Sequence, residues 1–471
     1  MALSSKLLHL ANSKMPLLVE YLQEFGRFQR NARLYLISNA LSGVTVGILL
    51  VLYNLYLVSL GYGTDFIGLV LFTGTLGAGL AIFPAGVCVD RFGGKLVLIW
   101  SNLAIAVIGI GQILFRQSVP LLISGFIAGV VTAFFLVVNA PYLTNNSTPR
   151  ERSHLFSLNI VLGLGTTVLG EILGGALPIW FRASPWLMAS LPSWLSWLLA
   201  HQAEPRSYQL ALLFAGVLAG PSLIPIFLLS NDRPVADSSS PSHTPSISPM
   251  HMMRNIRTIL AKTRLRTLVY SPLFVLVLVQ VLIGLGAGLF IPYFNVYFVK
   301  YLGASSALFG LIDGGANAIN ALLTLLAPWL AMRIGKINTI TFTRLLSIPL
   351  LLTIGLTNLL PLAAILYLFR QGTMDMAAGI FQVFSMEAIS EQHRGLANST
   401  YQATYQAAWA VTAPLGGLII AHFGYKPVFM LGAVLYVLAI ALLWGRFGRR
   451  REEEEVGSMK AAPTRGFPDH V

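Results

Sequence analysis

The sequence predicts an all-α integral membrane protein built from twelve transmembrane helices in two pseudo-symmetric six-helix bundles. Three observations predict it. The 471-residue chain is 55% hydrophobic and only 10% charged, with a mean hydropathy of +0.72, whereas a soluble domain carries about 25% charged residues. Apolar runs of about 20 residues, the length that crosses a bilayer core, recur between polar breaks. The third observation is a duplication, because motifs of the first half return about 242 residues later. Two related bundles with a site between them suit a carrier that alternates access.

The apolar runs fall at 34–60, 66–88, 96–115, 119–144, 154–179 and 208–230, then at 269–299, 304–331, 337–357, 360–388, 397–421 and 426–445. The chain thus divides into an N-terminal segment (1–33), a first bundle (34–230), a linker (231–268), a second bundle (269–445) and a tail (446–471). With the N-terminus inside, the cytoplasmic segments hold 24 of the 31 Lys and Arg residues. Five lie outside (Arg116, Arg182, Arg206, Lys300, Lys426) and two within spans (Arg344, Arg370). That is the positive-inside bias. It puts both termini in the cytoplasm, fits a plasma membrane, and explains the net charge of +13 without a nucleic-acid partner.

The segments between spans follow. Residues 1–33 carry five basic residues and no continuous apolar stretch of the signal-peptide kind. Residues 231–250 read as a Ser- and Pro-rich flexible linker. From His251 to Arg266 basic and apolar residues alternate as in an interfacial helix on anionic lipid. The outer loop between spans five and six holds Trp180, Trp186, Trp194 and Trp197. It suits an anchor in the headgroup region or, alternatively, a lateral gate for a lipid. Cys88 stands alone as a small helix residue.

The clearest repeat is in a loop. Gly86-Val-Cys-Val-Asp90-Arg91-Phe-Gly93-Gly94-Lys95 returns as Pro328-Trp-Leu-Ala-Met332-Arg333-Ile-Gly335-Lys336. Gly86 suits close helix approach and Gly93 a positive φ. Arg152 precedes Leu173-Gly174-Gly175 as Arg394 precedes Leu415-Gly416-Gly417. The pattern Gly86-x-x-x-Asp90-Arg91-x-Gly93-x-Lys95 resembles the signature loop between spans two and three of the major facilitator superfamily. The resemblance covers residues 34 to 445 and implies that family's fold and rocking-bundle transport. It also implies that Asp90 caps a helix of the other half and biases the gate. Such a carboxylate contributes roughly 0.3–1 kcal/mol at a helix N-terminus. In the second copy Met332 replaces the acid, and Glu387 at the end of span ten is the expected partner of Arg333. Gly170-Glu171-Ile-Leu-Gly174-Gly175 further resembles the family antiporters' Gly-Pro-x-x-Gly-Gly, with Glu171 in place of Pro.

Ionisable residues inside a membrane helix are costly and mark function by default. Glu171 is the first candidate for carrying a proton, followed by Asp313 and Asp375, because a carboxyl changes its proton affinity with burial and with nearby cations. Arg370 is the candidate hook for an anionic group, with Gln371 beside it; Arg344 is near enough to the inner surface to snorkel. Arg370 and Asp375 lie about 140° apart on a helix of 3.6 residues per turn, so each needs a partner elsewhere. Asn39 and Gln280 occupy equivalent inner positions, and Asn54 and Asn295 equivalent outer ones, where amides suit a polar solute. Their neighbours Tyr53, Tyr56 and Tyr297 suit an aromatic belt.

These residues point to a monomeric secondary transporter, by resemblance, that exports a small organic or amphipathic solute coupled to protons. A lipid or lysolipid carrier and an organic-anion uptake system, symporter or uniporter, are the alternatives. No His-Glu-x-x-His, nucleotide loop or clustered His ligand set occurs, so no enzyme, cofactor or metal is expected.

Overall fold

The structure is a computed structural model that describes residues 28–148, 151–189, 192, 198–230, 271–389 and 394–461. The predicted linker and the basic segment that follows it lie outside the described residues, as do Trp194 and Trp197. In the first half the helices are α1 (Arg30–Ser59), α2 (Thr64–Phe92), α3 (Gly94–Leu114), α4 (Ser118–Asn145), α5 (Arg152–Ala183) and α6 (Ala203–Phe227). The second half has α7 (Pro272–Phe290), α8 (Ser306–Ile334), α9 (Lys336–Leu356), α10 (Leu360–Asp375), α11 (Ala378–Glu387), α12 (Arg394–Phe423) and α13 (Tyr425–Ala461). The last helix runs on to Ala461, past the predicted end at 445 and into the predicted tail; the other span boundaries agree to within about five residues, with two departures in geometry.

The first departure is span ten, which is broken. Met376 and Ala377 interrupt it, giving α10 and α11. Eleven stretches among the described residues are therefore long and apolar enough to span a membrane, with the broken helix making up the twelfth predicted span. The second is span seven, whose outer end leaves α-geometry. It passes through a 3₁₀ turn at Ile291–Tyr293, containing Pro292, and a π turn at Tyr297–Tyr301. Pro has no N–H to give the helix, and Asn295 fills in locally, its Oδ1 accepting from the Val296 amide at 2.8 Å.

The helices form two compact units. One comprises α1 to α6 without Gly61–Phe72, and the other comprises that segment with α7 to α13. Within the first, α1 and α5 touch through glycines. A Cβ on Gly47 would stand 2.1 Å from the Thr167 carbonyl oxygen, and one on Gly170 would stand 2.1 Å from that of Val44. The second unit repeats this seam between α7 and α12 through Gly288 and Gly416. Small residues let membrane helices pack closely where no hydrophobic drive operates between them.

Duplication reaches the dihedral angles. Gly93 has φ 82° and ψ 157°, and Gly335, 242 residues later, has φ 86° and ψ 158°. This region is open essentially to glycine alone. It reaches single hydrogen bonds too: Tyr56 Oη donates to the Ile113 carbonyl at 2.6 Å, and Tyr297 Oη to that of Ile354 at 2.5 Å. Both tyrosines are fully buried. The belt expected of them is corrected to an internal tie between the first and third helices of each unit.

Outside the spans, Arg206 has a structural role. Its guanidinium donates to the carbonyls of Ala200, Ala189 and His201 at 2.7, 2.8 and 3.0 Å, closing the loop between α5 and α6 on itself. Trp180 and Trp186 remain exposed.

Candidate functional site

The second unit contains a cavity of about 310 Å³ that gathers polar side chains from five helices. Gln280 comes from α7, Arg344 from α9, Met374 and Asp375 from the end of α10, and Phe381, Gln382 and Ser385 from α11. The α12 wall supplies Tyr401, Gln402 and Tyr405. The break in span ten positions the acid: Asp375 is the last residue of α10, and its accessible surface lies along the cavity.

Asp375 interacts electrostatically with Arg370 and Arg344, but among the described residues neither guanidinium comes within 4.0 Å of it. The two arginines differ. Arg370 is enclosed by aromatic rings, with its guanidinium carbon 5.0 Å from the Phe290 centroid and 5.9 Å from those of Phe294 and Tyr436. It donates to Tyr436 Oη at 3.3 Å and does not line the cavity. Arg344 lies 5.0 Å from the Phe381 centroid. Its Nε and Nη1 are buried without a hydrogen-bond partner. Snorkelling of Arg344 is thereby corrected: it is 6% exposed and turned into the bundle.

The remaining candidates are spread through the two units. Gln280 lines the cavity. Asp313 accepts from Tyr367 Oη at 2.8 Å, and one turn along the same pair of helices Gln371 donates to Asn317 at 2.8 Å. These two rungs join α8 to α10. Asn39 donates to Asn159 Oδ1 at 2.8 Å, joining α1 to α5. Asn54 is half-buried, and Asn295 is buried at the irregular end of span seven. Glu171 is 1% exposed, with its backbone nitrogen against Gly47 in the α1–α5 seam.

At the repeated loop, Gly93 has the positive φ expected of it, and Gly335 repeats it. Two other expectations are corrected. A Cβ on Gly86 would meet nothing within 4 Å, so close packing is not its role. Glu387 pairs with Lys336, Nζ to Oε1 at 2.5 Å, rather than with Arg333. Arg333 ends α8 and stacks on Trp329 at 4.7 Å, whereas Lys336 opens α9 beyond the Gly335 turn and reaches Glu387 on α11. Arg91 stacks on Phe92 at 5.7 Å, and Lys95 is half-buried in the first turn of α3. The Asp90 side chain lies outside what is described.

A family model described as Major Facilitator Superfamily matches residues 35–383 and 276–468. The chain belongs to the major facilitator superfamily. It is thus a multi-pass membrane protein of a family of secondary transporters, which are not enzymes. A curated relative, the uncharacterized MFS-type transporter YhhS of Escherichia coli (strain K12), is 27% identical over 112 residues, 24% of this chain and 28% of that protein. The match therefore spans less than a third of that relative. A bacterial homolog of the human lysosomal transporter Spinster superposes with a TM-score of 0.67 at 14% identity, covering 88% of this chain and 96% of that one. The nucleoside transporter NupG does so at 0.67 and 13%, covering 88% and 99%. Likenesses this distant establish the fold alone.

Against this fold the cavity breaks the internal symmetry. Gln280, Arg344 and Tyr401 stand where the first half has Asn39, Asn102 and Asn159, and Arg370 and Asp375 stand where it has Ala128 and Ala133. The first-half amides are internally satisfied, Asn39 by Asn159 and Asn102 by the Leu98 carbonyl at 2.8 Å. Sequence reasoning saw Arg344 but passed over its polar counterpart, and it missed Tyr401, Gln402 and Tyr405. For Arg344 and Tyr401 polarity at both members of a duplicated pair was the available signal; Gln402 and Tyr405, opposite Ile160 and Gly163, had no such signal.

Proposed function

We propose that this superfamily member is a proton-coupled exporter of a small organic or amphipathic solute. Asp375 acts as the coupling carboxylate and the second-bundle cavity as part of the solute's path. One observation carries this reading: an acid at a helix break, facing a cavity, with two guanidiniums close enough to feel but not to bond. Such a group exchanges its proton when solute, water or a moving helix changes its surroundings. Glu171 and Asp313 take second place: Glu171 does not line this cavity, and the Asp313 carboxylate accepts from Tyr367 within the α8–α10 seam. The repeated loops and the Lys336–Glu387 pair act as the inner gate, and Asp90 is assigned to it by resemblance. The basic bias supports a plasma membrane with both termini inside.

Proteoliposomes containing a pH-sensitive dye test the reading. Organic acids, lipophilic cations, nucleosides, sugars and lysolipids are added in turn. At least one solute should move protons through the wild type, while Asp375→Asn should exchange that solute without moving them. Solute flux through the wild type with no proton movement would end the coupled reading. Flux of lysolipid alone would replace the solute by a lipid.

A further inference from the structure

We propose that the second-bundle cavity recognises a small organic monoanion, a carboxylate or sulfonate, through the guanidinium of Arg344. The inference deepens the transport reading for the same cavity and rests on it for its physiological meaning.

Charge is the first argument. Arg344, Arg370 and Asp375 are the ionisable Arg, Lys, Asp and Glu groups that the described helices around the cavity carry within their membrane-buried parts. Two guanidiniums stand against one carboxyl, which leaves room for one anion. A hydrogen-bonding argument points the same way and is independent. Buried polar groups are nearly always paired, yet among the described residues Nε and Nη1 of Arg344 have no partner, nor does the buried hydroxyl of Tyr401, which lines the same cavity. Donors that lack acceptors in a cavity define a ligand that accepts. Arg370 Nε also lacks a partner among the described residues, but Arg370 does not line the cavity and is enclosed by Phe290, Phe294 and Tyr436.

The surroundings suit an anion with a short organic body. Ala378 and Gly379, in the first turn of the ten-residue helix α11, form part of the wall and present the positive end of its peptide dipole. Gln280 and Gln402 add amide donors, and Tyr401, Tyr405 and Phe381 add ring surface. The volume of about 310 Å³ lies at the lower end of ligand pockets, about 300–1,000 Å³, and admits one ring or a short alkyl chain. Asp375 is the anion's competitor for Arg344. A bound monoanion takes over the charge balance that Asp375 provides in the empty cavity.

The test uses the full chain, purified in detergent, and measures thermal stabilisation by benzoate, hexanoate and benzenesulfonate. Benzamide and benzylammonium serve as neutral and cationic isosteres of benzoate. At least one anion should stabilise the wild type and neither isostere should. Arg344→Gln should weaken anion binding at least about tenfold, the loss expected for one charge-assisted hydrogen bond, and Arg344→Lys should restore part of it. Asp375→Asn should strengthen it. The proposal is overturned by stabilisation from an isostere equal to that from benzoate, by no anion acting on the wild type, or by a folded Arg344→Gln protein that binds like wild type. If Arg344→Gln does not fold, Asp375→Asn decides: unchanged or weaker anion binding overturns the proposal. Binding in detergent needs no gradient, so a failure of proton coupling leaves this result standing. Conversely, proton flux driven by a neutral solute would keep the coupled reading and end this one.

Discussion

The Ile113 carbonyl receives two donors, Tyr56 Oη at 2.6 Å and Gln209 Nε2 at 3.1 Å. Its counterpart in the second unit, Ile354, receives Tyr297 Oη at 2.5 Å. Leaving a buried acceptor unpaired costs about 1–3 kcal/mol. Tyr297→Phe should therefore destabilise by about 1–2 kcal/mol, and Tyr56→Phe by less, since Gln209 still serves Ile113; equilibrium unfolding in mixed micelles compares them. Lys336 and Glu387 are roughly half exposed, and exposed pairs contribute about 0–1 kcal/mol. Glu387→Gln should leave unfolding nearly unchanged, so an effect of this variant on transport rate would report on gating rather than on folding. Individual roles were the least legible layer of the sequence. Arg344 and Arg370 are equivalent by composition, and only the packing of Phe290, Phe294 and Tyr436 around one of them separates a boxed cation from an open one.

At the scale of elements, glycine positions carry the fold. Gly93 and Gly335 occupy backbone that a side chain strains by about 1–3 kcal/mol. Gly335→Ala should lower stability by about that much, and Gly86→Ala, which meets open space, should be neutral; thermal unfolding of the two variants distinguishes a turn requirement from a family motif. At Gly47 a methyl group would collide with the Thr167 carbonyl. Gly47→Ala should therefore cost about 1–3 kcal/mol by overpacking, read in the same assay. Hydropathy made the spans legible because each is long, apolar and bounded by charge. It missed the gap in span ten because Asp375-Met-Ala-Ala contains no Pro or Gly to announce it. The irregular end of span seven is marked by Pro292 alone.

At the scale of the whole molecule, the duplication and the signature loop made the superfamily legible, since both are local patterns that survive divergence. The cavity was half legible. Gln280 and Asp375 stood out as polar residues in apolar runs, whereas the tyrosines of α12 look like packing until α7, α9 and α11 are seen around them. The wild-type and Asp375→Asn dye experiment belongs to this scale, because coupling is a property of the cycle rather than of one contact.

The interruption at Met376 and Ala377 has a mechanical meaning. Its counterpart in the first unit falls inside the unbroken helix α4. A joint between two half-helices would let the ten residues of α11 pivot while the sixteen of α10 stay clamped by the ring box around Arg370. The joint predicts a second unit that flexes within itself, with a lever shorter than a whole span. Amide exchange should be faster over residues 374–380 than over the matching stretch of α4, and cross-linking α11 to α9 should arrest turnover without abolishing anion binding.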